Sequence, residues 1–246
     1  MHHPDALPAM IAKNGHTSTL PRLYPCARSI GDRFPLWRNP RDMPSPMPLL
    51  LLLALMLPPE TGPDVPVGSL APAFSLSDDR GAVRSLSEFK GKYVVLEWHE
   101  KGCPYVVKHY KGGAMQRRQA EWMGRGVVWL LINSSAEGFH SYLTPEGSRE
   151  YFKGLSASPT AALLDTTGKV GKLYGVTTAL HMLIVDPSGK VAYNGAIDDQ
   201  PKTEASSLGG AKNYVDAALT ELHAGKPVAT PRSVPYGCDV HYAGNQ

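Results

Sequence analysis

The spacing of apolar residues changes repeatedly between residues 67 and 225, as expected of a chain in which strands and helices alternate. Continuous apolar runs at 92–98 and 127–132 are typical of strands that are covered on both faces. Residues 104–126 and 211–223 have apolar side chains at helical spacing, which predicts two helices. The shorter predicted elements are a hairpin over 74–86, a helix over 145–155, a strand over 160–164, a helical turn over 170–174 and a hairpin over 181–194.

The order of these elements predicts the fold class. Buried strands separated by helices, followed by an antiparallel hairpin and a last helix, favour an α/β protein with a three-layer α/β/α sandwich on a mixed sheet. We expect Gly112 and Gly113 to kink or split the first long helix. Thr144 is expected to cap the helix that starts at Pro145.

Proline dominates the first part of the chain. Thirteen of the 22 prolines fall within residues 1–66, and neither strand nor helix spacing occurs there before Leu49. A stretch of this kind cannot bury a core. We therefore interpret residues 1–46 as a disordered extension, or as an over-long N-terminus upstream of a true start at Met43 or Met47.

Residues 47–66 form a signal-peptide-like apolar segment followed by a linker. The nine apolar residues 49–57 are too few for a stable membrane span, since a bilayer core of ~30 Å needs about 20 residues in a helix. They match the apolar region of a secretory signal peptide, with Arg38 and Arg41 as a possible basic flank. We expect export to the periplasm or medium, although no clear small-x-small cleavage site follows. A short membrane anchor, a core helix or a cytoplasmic chain with a spurious leader are the alternatives.

The positive charge is confined to the N-terminal extension. The chain has a formal net charge of +3, but residues 1–46 hold six Lys or Arg against three Asp. The remaining 200 residues therefore carry 19 charges of each sign. A neutral body without a basic cluster lacks the footprint of a nucleic-acid-binding protein, so we expect no nucleic-acid partner.

Three cysteines, Cys26, Cys103 and Cys238, are too few for a disulfide-rich scaffold or a cysteine-rich zinc module. Cys103 falls where a buried strand gives way to a helix, followed by Pro104 in the first turn. Unpaired N–H groups at a helix N-terminus stabilise an anion and lower the pKa of a thiol there. The sequence therefore predicts a reactive thiolate; the alternative is a small buried core cysteine.

The motif from Cys103, Cys-Pro-Tyr-Val, together with Trp98, Glu97 and the Asp-Pro-Ser-Gly-Lys turn at Asp186, resembles thioredoxin-like redoxins. The similarity is greatest to the peroxiredoxin-like, alkyl hydroperoxide reductase and thiol-specific antioxidant family, and it extends over residues 67–242. The resemblance implies a thioredoxin-like domain at 67–225. It also implies an antioxidant-type oxidoreductase whose Cys103 thiolate attacks a protein or small-molecule disulfide, or a hydroperoxide, with an external thiol as reductant.

Three departures from the family pattern affect this expectation. The second cysteine of a thioredoxin Cys-x-x-Cys motif is replaced by Val106, so dithiol exchange within one helical turn is impossible. Glu100 stands where a peroxiredoxin has Thr or Ser, and Leu96 stands where it has Pro. The cis-proline that faces the thiol in this fold is replaced by Ala179-Leu180, for which we expect a trans peptide and a remodelled substrate groove.

The second site cysteine, Cys238, belongs to the C-terminal tail, residues 226–246. With only two cysteines left after removal of a leader, a disulfide between Cys103 and Cys238 is the hypothesis we favour, either as a structural bond or as a resolving pair. A free tail thiol is the alternative.

Glu97 lies six residues before the thiol, where thioredoxins keep a buried acid that shuttles protons. Burial would raise the pKa of such a carboxyl and allow it to act as a general base. The alternative is a partly exposed residue at a sheet edge.

Other kinds of chemistry have little support in the sequence. Residues His99, His109 and His181 could approach Cys103, but Val107 replaces the second cysteine used by copper-delivering relatives, so we expect no metal site. Nucleotide-binding and serine-hydrolase motifs are absent from the sequence, and we expect no cofactor. Asp198-Asp199 is interpreted as a solvated turn. A non-catalytic binding module, or a metal-handling protein that has lost turnover, is the rival hypothesis.

Overall fold

The computed structural model describes residues 64–244. The predicted extension at 1–46 and the apolar run at 49–57 lie outside the described residues. Within 64–244, none of the helices is long and apolar enough to cross a membrane.

A seven-stranded mixed sheet forms the centre of the described part of the chain. Its spatial order is β2-β1-β5-β4-β3-β6-β7. The strands are β1 (Ser75–Asp78), β2 (Val83–Ser85), β3 (Val94–Trp98), β4 (Val128–Asn133), β5 (Ala161–Leu164), β6 (Met182–Val185) and β7 (Val191–Gly195).

Strand β3 lies inside the sheet, parallel to β4 and antiparallel to β6. The β3–helix–β4 unit and the antiparallel β6–β7 hairpin followed by a last helix are the arrangement of the thioredoxin fold. Because the strands are covered on both sides, alternate residues of β3 belong to different cores: Val95 packs in one cluster, and Val94 and Leu96 in the other. The predicted α/β sandwich on a mixed sheet is confirmed.

The helices are α1 (Pro104–Lys111), α2 (Ala114–Gly124), α3 (Pro145–Gly154), α4 (Lys169–Leu173) and α5 (Tyr214–His223). The first long helix is split as predicted, since Gly112 caps α1 and Gly113 has a φ of 72° that favours glycine. Thr144 caps α3 by accepting a hydrogen bond from the N–H of Gly147. Helix α5 starts later than predicted because the side chain of Asn213 caps it, accepting from the N–H of Asp216.

The two faces of the sheet are covered differently. Side chains of α1, α2, α3 and α5 contribute to the core on one face. On the other face the cover consists of α4, a 3-10 turn at Leu86–Phe89 and the end of the C-terminal tail, where Val240 and Tyr242 are buried. The tail is therefore part of the packed domain, and this determines where Cys238 lies.

Candidate active site

Cys103 is the N-cap residue of α1, and Pro104 follows in the first turn. Its carbonyl accepts the N–H of Val107 at 2.9 Å, which starts the helix. The predicted position at a helix N-terminus is confirmed. The residue is also buried, as the alternative of a core cysteine requires, since Cys103 is only 3% exposed and packs in the cluster beneath α1.

The sulfur of Cys103 is bonded to that of Cys238, and the two Cα atoms are 5.8 Å apart. This distance is typical of disulfides. The N–H of Cys238 also points at Cys103 Sγ, at 3.3 Å. The predicted pairing is confirmed, and the alternative of a free tail thiol is wrong for this state of the chain.

The tail reaches Cys103 by pairing with the segment that precedes β6. The N–H of Ala179 donates to the carbonyl of Cys238 at 2.8 Å, and the N–H of Val240 donates to Thr177 at 2.9 Å. Thr178 and Asp239 form an antiparallel bridge between these bonds. The tail thus lies as a short added strand beside the residues that stand in place of the cis-proline.

Leu180 takes the place of the cis-proline without its geometry. The residues that the structure describes contain no cis peptide bond, so the expected trans peptide is confirmed. Leu180 instead has a φ of 56°, which is unusual for a residue with a side chain, and its N–H donates to the carbonyl of Trp98. Its side chain is fully buried, and this packing holds the unusual backbone in place.

Gly237 permits the close approach of the tail. A Cβ atom at this position would lie 2.2 Å from the carbonyl oxygen of Ala179, much closer than any van der Waals contact. A side chain at residue 237 would therefore push the backbone away from Ala179, together with the neighbouring Cys238. The glycine is a requirement for the position of the second sulfur.

Glu97 is completely buried on β3, on the side of the sheet that faces α1. Its carboxyl group accepts hydrogen bonds from the hydroxyl of Tyr110 at 2.8 Å, the indole N–H of Trp129 at 2.7 Å and the amide of Gln119 at 3.4 Å. The alternative of a partly exposed edge residue was wrong, because β3 is an interior strand.

The three candidate histidines are buried, and each ring lies against different polar neighbours. His99 Nε2 lies 3.2 Å from the hydroxyl of Tyr151, and its Nδ1 lies 3.7 Å from Glu97. His181 Nε2 lies 2.6 Å from the side-chain oxygen of Asn194. Among residues 64–244, no group of three or more His, Cys, Asp or Glu side chains is placed to hold a metal ion.

Asp198 was wrongly interpreted as part of a solvated turn; it is 1% exposed, whereas Asp199 is exposed. Its carboxylate accepts a hydrogen bond from the hydroxyl of Tyr236 in the tail, and His109 Nε2 lies 3.6 Å away. Lys108 donates to the same hydroxyl at 3.3 Å. We call these four residues the tyrosine cluster.

The protonation states in the tyrosine cluster follow from burial. Burial and the neighbouring Asp198 raise the pKa of Tyr236 far above its usual value, so its hydroxyl remains a donor. Burial, with a contribution from Lys108, lowers the pKa of His109 to about 3, so this ring is neutral at pH 7.

Glu100, the departure from the peroxiredoxin pattern, is also tied to the tail. Both carboxylate oxygens accept from the hydroxyl of Ser135, at 2.6 and 2.7 Å, and His241 Nδ1 lies 3.8 Å away. The backbone carbonyl of Glu100 accepts the N–H of Cys103 at 3.3 Å. Residues on both sides of Cys238 are therefore held by buried polar groups of the domain.

A cysteine at a helix N-terminus on a thioredoxin-type sheet, bonded to a second cysteine, defines the class of thioredoxin-like redoxins. Residues 67–194, more than half of the chain, match the AhpC/TSA family, and the chain belongs to that family.

One curated relative and two solved structures are similar to the chain. The chain is 27% identical over 124 residues to the thiol-disulfide oxidoreductase ResA of Bacillus subtilis strain 168, covering 50% of this chain and 64% of that protein. It therefore spans less than two thirds of that relative's length. A solved structure of an uncharacterized conserved protein from Geobacillus kaustophilus is similar with a TM-score of 0.64 and 26% identity, over 74% of this chain and 94% of that one. A hypothetical protein from Sinorhizobium meliloti 1021 has the same fold, with a TM-score of 0.61 and 23% identity over 75% and 98% of the two chains.

Replacing Gly237 with alanine tests the close approach of the tail. We expect the Cys103–Cys238 disulfide to form about tenfold more slowly in a glutathione redox buffer, because a displaced Cys238 has a lower effective concentration at Cys103. The rate is measured by quenching with an alkylating reagent and counting free thiols by mass spectrometry. Gly154→Ala is the matched control, since a Cβ there meets nothing within 4 Å. Equal rates for the two variants and the unmodified chain would contradict the requirement for glycine.

Proposed function

We propose that this chain is a thiol-dependent oxidoreductase in which the Cys103 thiolate reduces a disulfide, with a hydroperoxide as the alternative oxidant. The observation that carries the proposal is the bond between Cys103, at the N-cap of α1, and Cys238 in the tail. The name of the Bacillus subtilis relative, a thiol-disulfide oxidoreductase, supports the choice of substrate class.

The proposed cycle begins with both site cysteines reduced. The Cys103 thiolate attacks one sulfur of the substrate disulfide, forms a mixed disulfide and releases the other substrate sulfur as a thiolate. The Cys238 thiolate then attacks Cys103 Sγ, closes the internal disulfide and releases the second substrate thiolate. With a hydroperoxide, Cys103 becomes a sulfenic acid with release of an alcohol, and attack by Cys238 releases water. Two electrons from an external thiol reductant restore both thiols.

The helix N-terminus explains why Cys103 is proposed as the attacking residue. The free N–H groups of the first turn of α1 and the helix dipole favour the thiolate over the thiol. Cys238 lies in an extended tail without such donors from a helix, so it is proposed as the resolving residue. Glu100 replaces the hydroxyl residue of peroxiredoxins and uses both carboxylate oxygens to bind Ser135, which favours a disulfide as substrate over a hydroperoxide.

We further propose that Glu97 exchanges a proton with the thiol pair. Its carboxyl group is buried beneath α1, and His99 lies between it and the hydroxyl of Tyr151. Burial raises the pKa of Tyr151, and the backbone of Gly102, next to Cys103, partly opposes this shift, so the Tyr151 hydroxyl lies near the start of α1. These contacts connect the buried carboxyl to the start of α1 through two side chains that can hold protons.

We also propose the domain organisation given by the sequence. Residues 67–225 form the redoxin domain, 226–246 form the tail that carries Cys238, and 47–66 form an export signal and linker that follow the extension at 1–46. The Cys103–Cys238 disulfide is consistent with an oxidising compartment such as the periplasm.

Serine variants test the two proposed cysteine roles. We expect Cys103→Ser to abolish reduction of glutathione disulfide or of a hydroperoxide in the presence of dithiothreitol, because the attacking sulfur is lost. Cys238→Ser should still perform the first attack and accumulate a mixed disulfide on Cys103, detected by intact mass. Both variants are compared with Cys26→Ser, which removes the cysteine outside the proposed site. If the unmodified chain consumes neither oxidant faster than Cys103→Ser does, the non-catalytic binding module is favoured.

Glu97→Gln tests the proton-exchange role. We expect the pH dependence of the Cys103 reaction with iodoacetamide to change its midpoint, because glutamine keeps the shape of the side chain but cannot bind a proton reversibly. Glu88→Gln is the control, since Glu88 is exposed on the 3-10 turn. A pH profile of Glu97→Gln that coincides with those of the control and the unmodified chain would remove the proton-exchange role and leave a structural one.

N-terminal sequencing of the mature protein tests the proposed export signal. When the full-length gene is expressed in a bacterium with a periplasm, we expect a chain that begins after residue 57, because signal peptides are cleaved beyond their apolar region. Chains that retain residues 1–57 would contradict cleaved export.

A further inference from the structure

The C-terminal tail lies on the domain as a bound peptide would. It is extended, and it makes antiparallel backbone hydrogen bonds with Thr177 and Ala179 on either side of an isolated bridge. Strand addition of this kind recognises any extended chain through its backbone, while pockets for individual side chains provide specificity. The cysteine of the added strand is covalently bonded to Cys103. The internal disulfide therefore has the arrangement expected of a mixed disulfide between Cys103 and a bound peptide.

The residue two positions before that cysteine, Tyr236, has a dedicated binding site. Its hydroxyl donates to Asp198 and accepts from Lys108, and the Lys108 ammonium lies 5.1 Å from its ring centre. The ring of Tyr105 packs edge-on against it at 5.6 Å. Lys108, His109 and Asp198 are each no more than 2% exposed, so these polar groups form a buried binding site rather than a surface contact.

Helix α1 places this site at a fixed distance from the thiol. Tyr105, Lys108 and His109 have i, i+3 and i+4 spacing, so they lie on one face of the helix that Cys103 starts. Helix α1 thus contacts the side chain of Tyr236, and the cysteine at its N-terminus is bonded to Cys238, two positions further along the added strand. Gly237 lies between these two tail residues, at a point where a Cβ atom would collide with the backbone of Ala179.

We propose that the groove between α1 and residues 177–179 binds an extended segment of a partner protein that has a tyrosine two residues before its reactive cysteine. The C-terminal tail is a tethered copy of that segment. The inference rests on the proposed function, since it names the substrate class on which Cys103 acts.

Because the Cys103 sulfur is buried beneath the tail, the tail must leave the groove before a partner can bind there. Cys103 is 3% exposed with the tail in place, so a protein disulfide reaches its sulfur only when residues 235–239 leave the groove. Tyr242 is buried on the opposite face of the sheet, with its hydroxyl bonded to the carbonyl of Val176. This anchor keeps the displaced tail close, and Cys238 returns to resolve the mixed disulfide and release the partner.

Peptide disulfides test the proposal on the full-length Cys238→Ser variant. The probe is the symmetrical disulfide dimer of the peptide Ser-Val-Pro-Tyr-Gly-Cys-Asp-Val, and matched dimers contain Phe or Ala in place of Tyr. The Cys103 thiolate attacks one peptide sulfur, the peptide–peptide S–S bond breaks, and one peptide leaves as a thiolate. The rate of formation of the Cys103–peptide mixed disulfide is followed by mass spectrometry, with glutathione disulfide as a reference lacking any strand.

We expect the tyrosine peptide to react about tenfold faster than the alanine peptide, a ratio equivalent to one well-formed buried hydrogen bond. The phenylalanine peptide should fall between them, because it keeps the ring contact with Tyr105 and loses the bond to Asp198. In the double variant Tyr236→Phe, Cys238→Ser, the tyrosine peptide should react several-fold faster still, because the competing tail is bound more weakly.

The outcomes separate the inference from the function on which it rests. If glutathione disulfide reacts and the three peptides differ by less than about twofold, the partner site is overturned while the oxidoreductase proposal stands. A double variant no faster than Cys238→Ser would overturn the tail as a competitor for the groove. Failure of Cys103 to react with any of these disulfides would overturn the proposed function and the inference with it.

Discussion

The pairing of the C-terminal tail with residues 177–179 is the interaction on which the site depends. Two backbone hydrogen bonds fix the register of the tail, and this register brings Cys238 to the N-terminus of α1. A shift of one residue would turn Cys238 to the other side of the added strand, away from Cys103. In the chain-entropy account, a bond closing a separation of 135 residues stabilises the fold by about 5 kcal/mol, and the strand pairing places the two sulfurs within reach of each other.

The tail is held by unlike interactions on its two sides. Before Cys238, Tyr236 enters a buried polar cluster; after it, His241 approaches the buried Glu100, and Tyr242 packs beneath the sheet. Buried charged groups are costly unless they are paired, and in each cluster the tail supplies one of the partners. The domain and its tail are consequently one packing unit in this disulfide-bonded structure.

The replacement of the cis-proline by Leu180 fits this arrangement. The backbone of Leu180 has an unusual positive φ, and its side chain is buried beneath the tail segment. Ala179 still presents its N–H to an extended chain, as the bond to Cys238 demonstrates. Residues 177–179 therefore pair with the chain's own tail although no proline stands at this position.

Features that depend on neighbouring residues could be predicted from local patterns in the chain. Apolar runs and helical spacing predicted the strands and helices, and Cys103 next to Pro104 predicted a cysteine at a helix start, because caps and periodicity are local properties. The burial of Asp198 and its bond to Tyr236 could not be predicted, since 38 residues separate them and only the packed sheet brings them together. The bond between Cys103 and Cys238 could be named as a hypothesis, but its geometry was decided by the tertiary structure. Strand register and side-chain burial are set by contacts between distant segments, and a local pattern does not contain them.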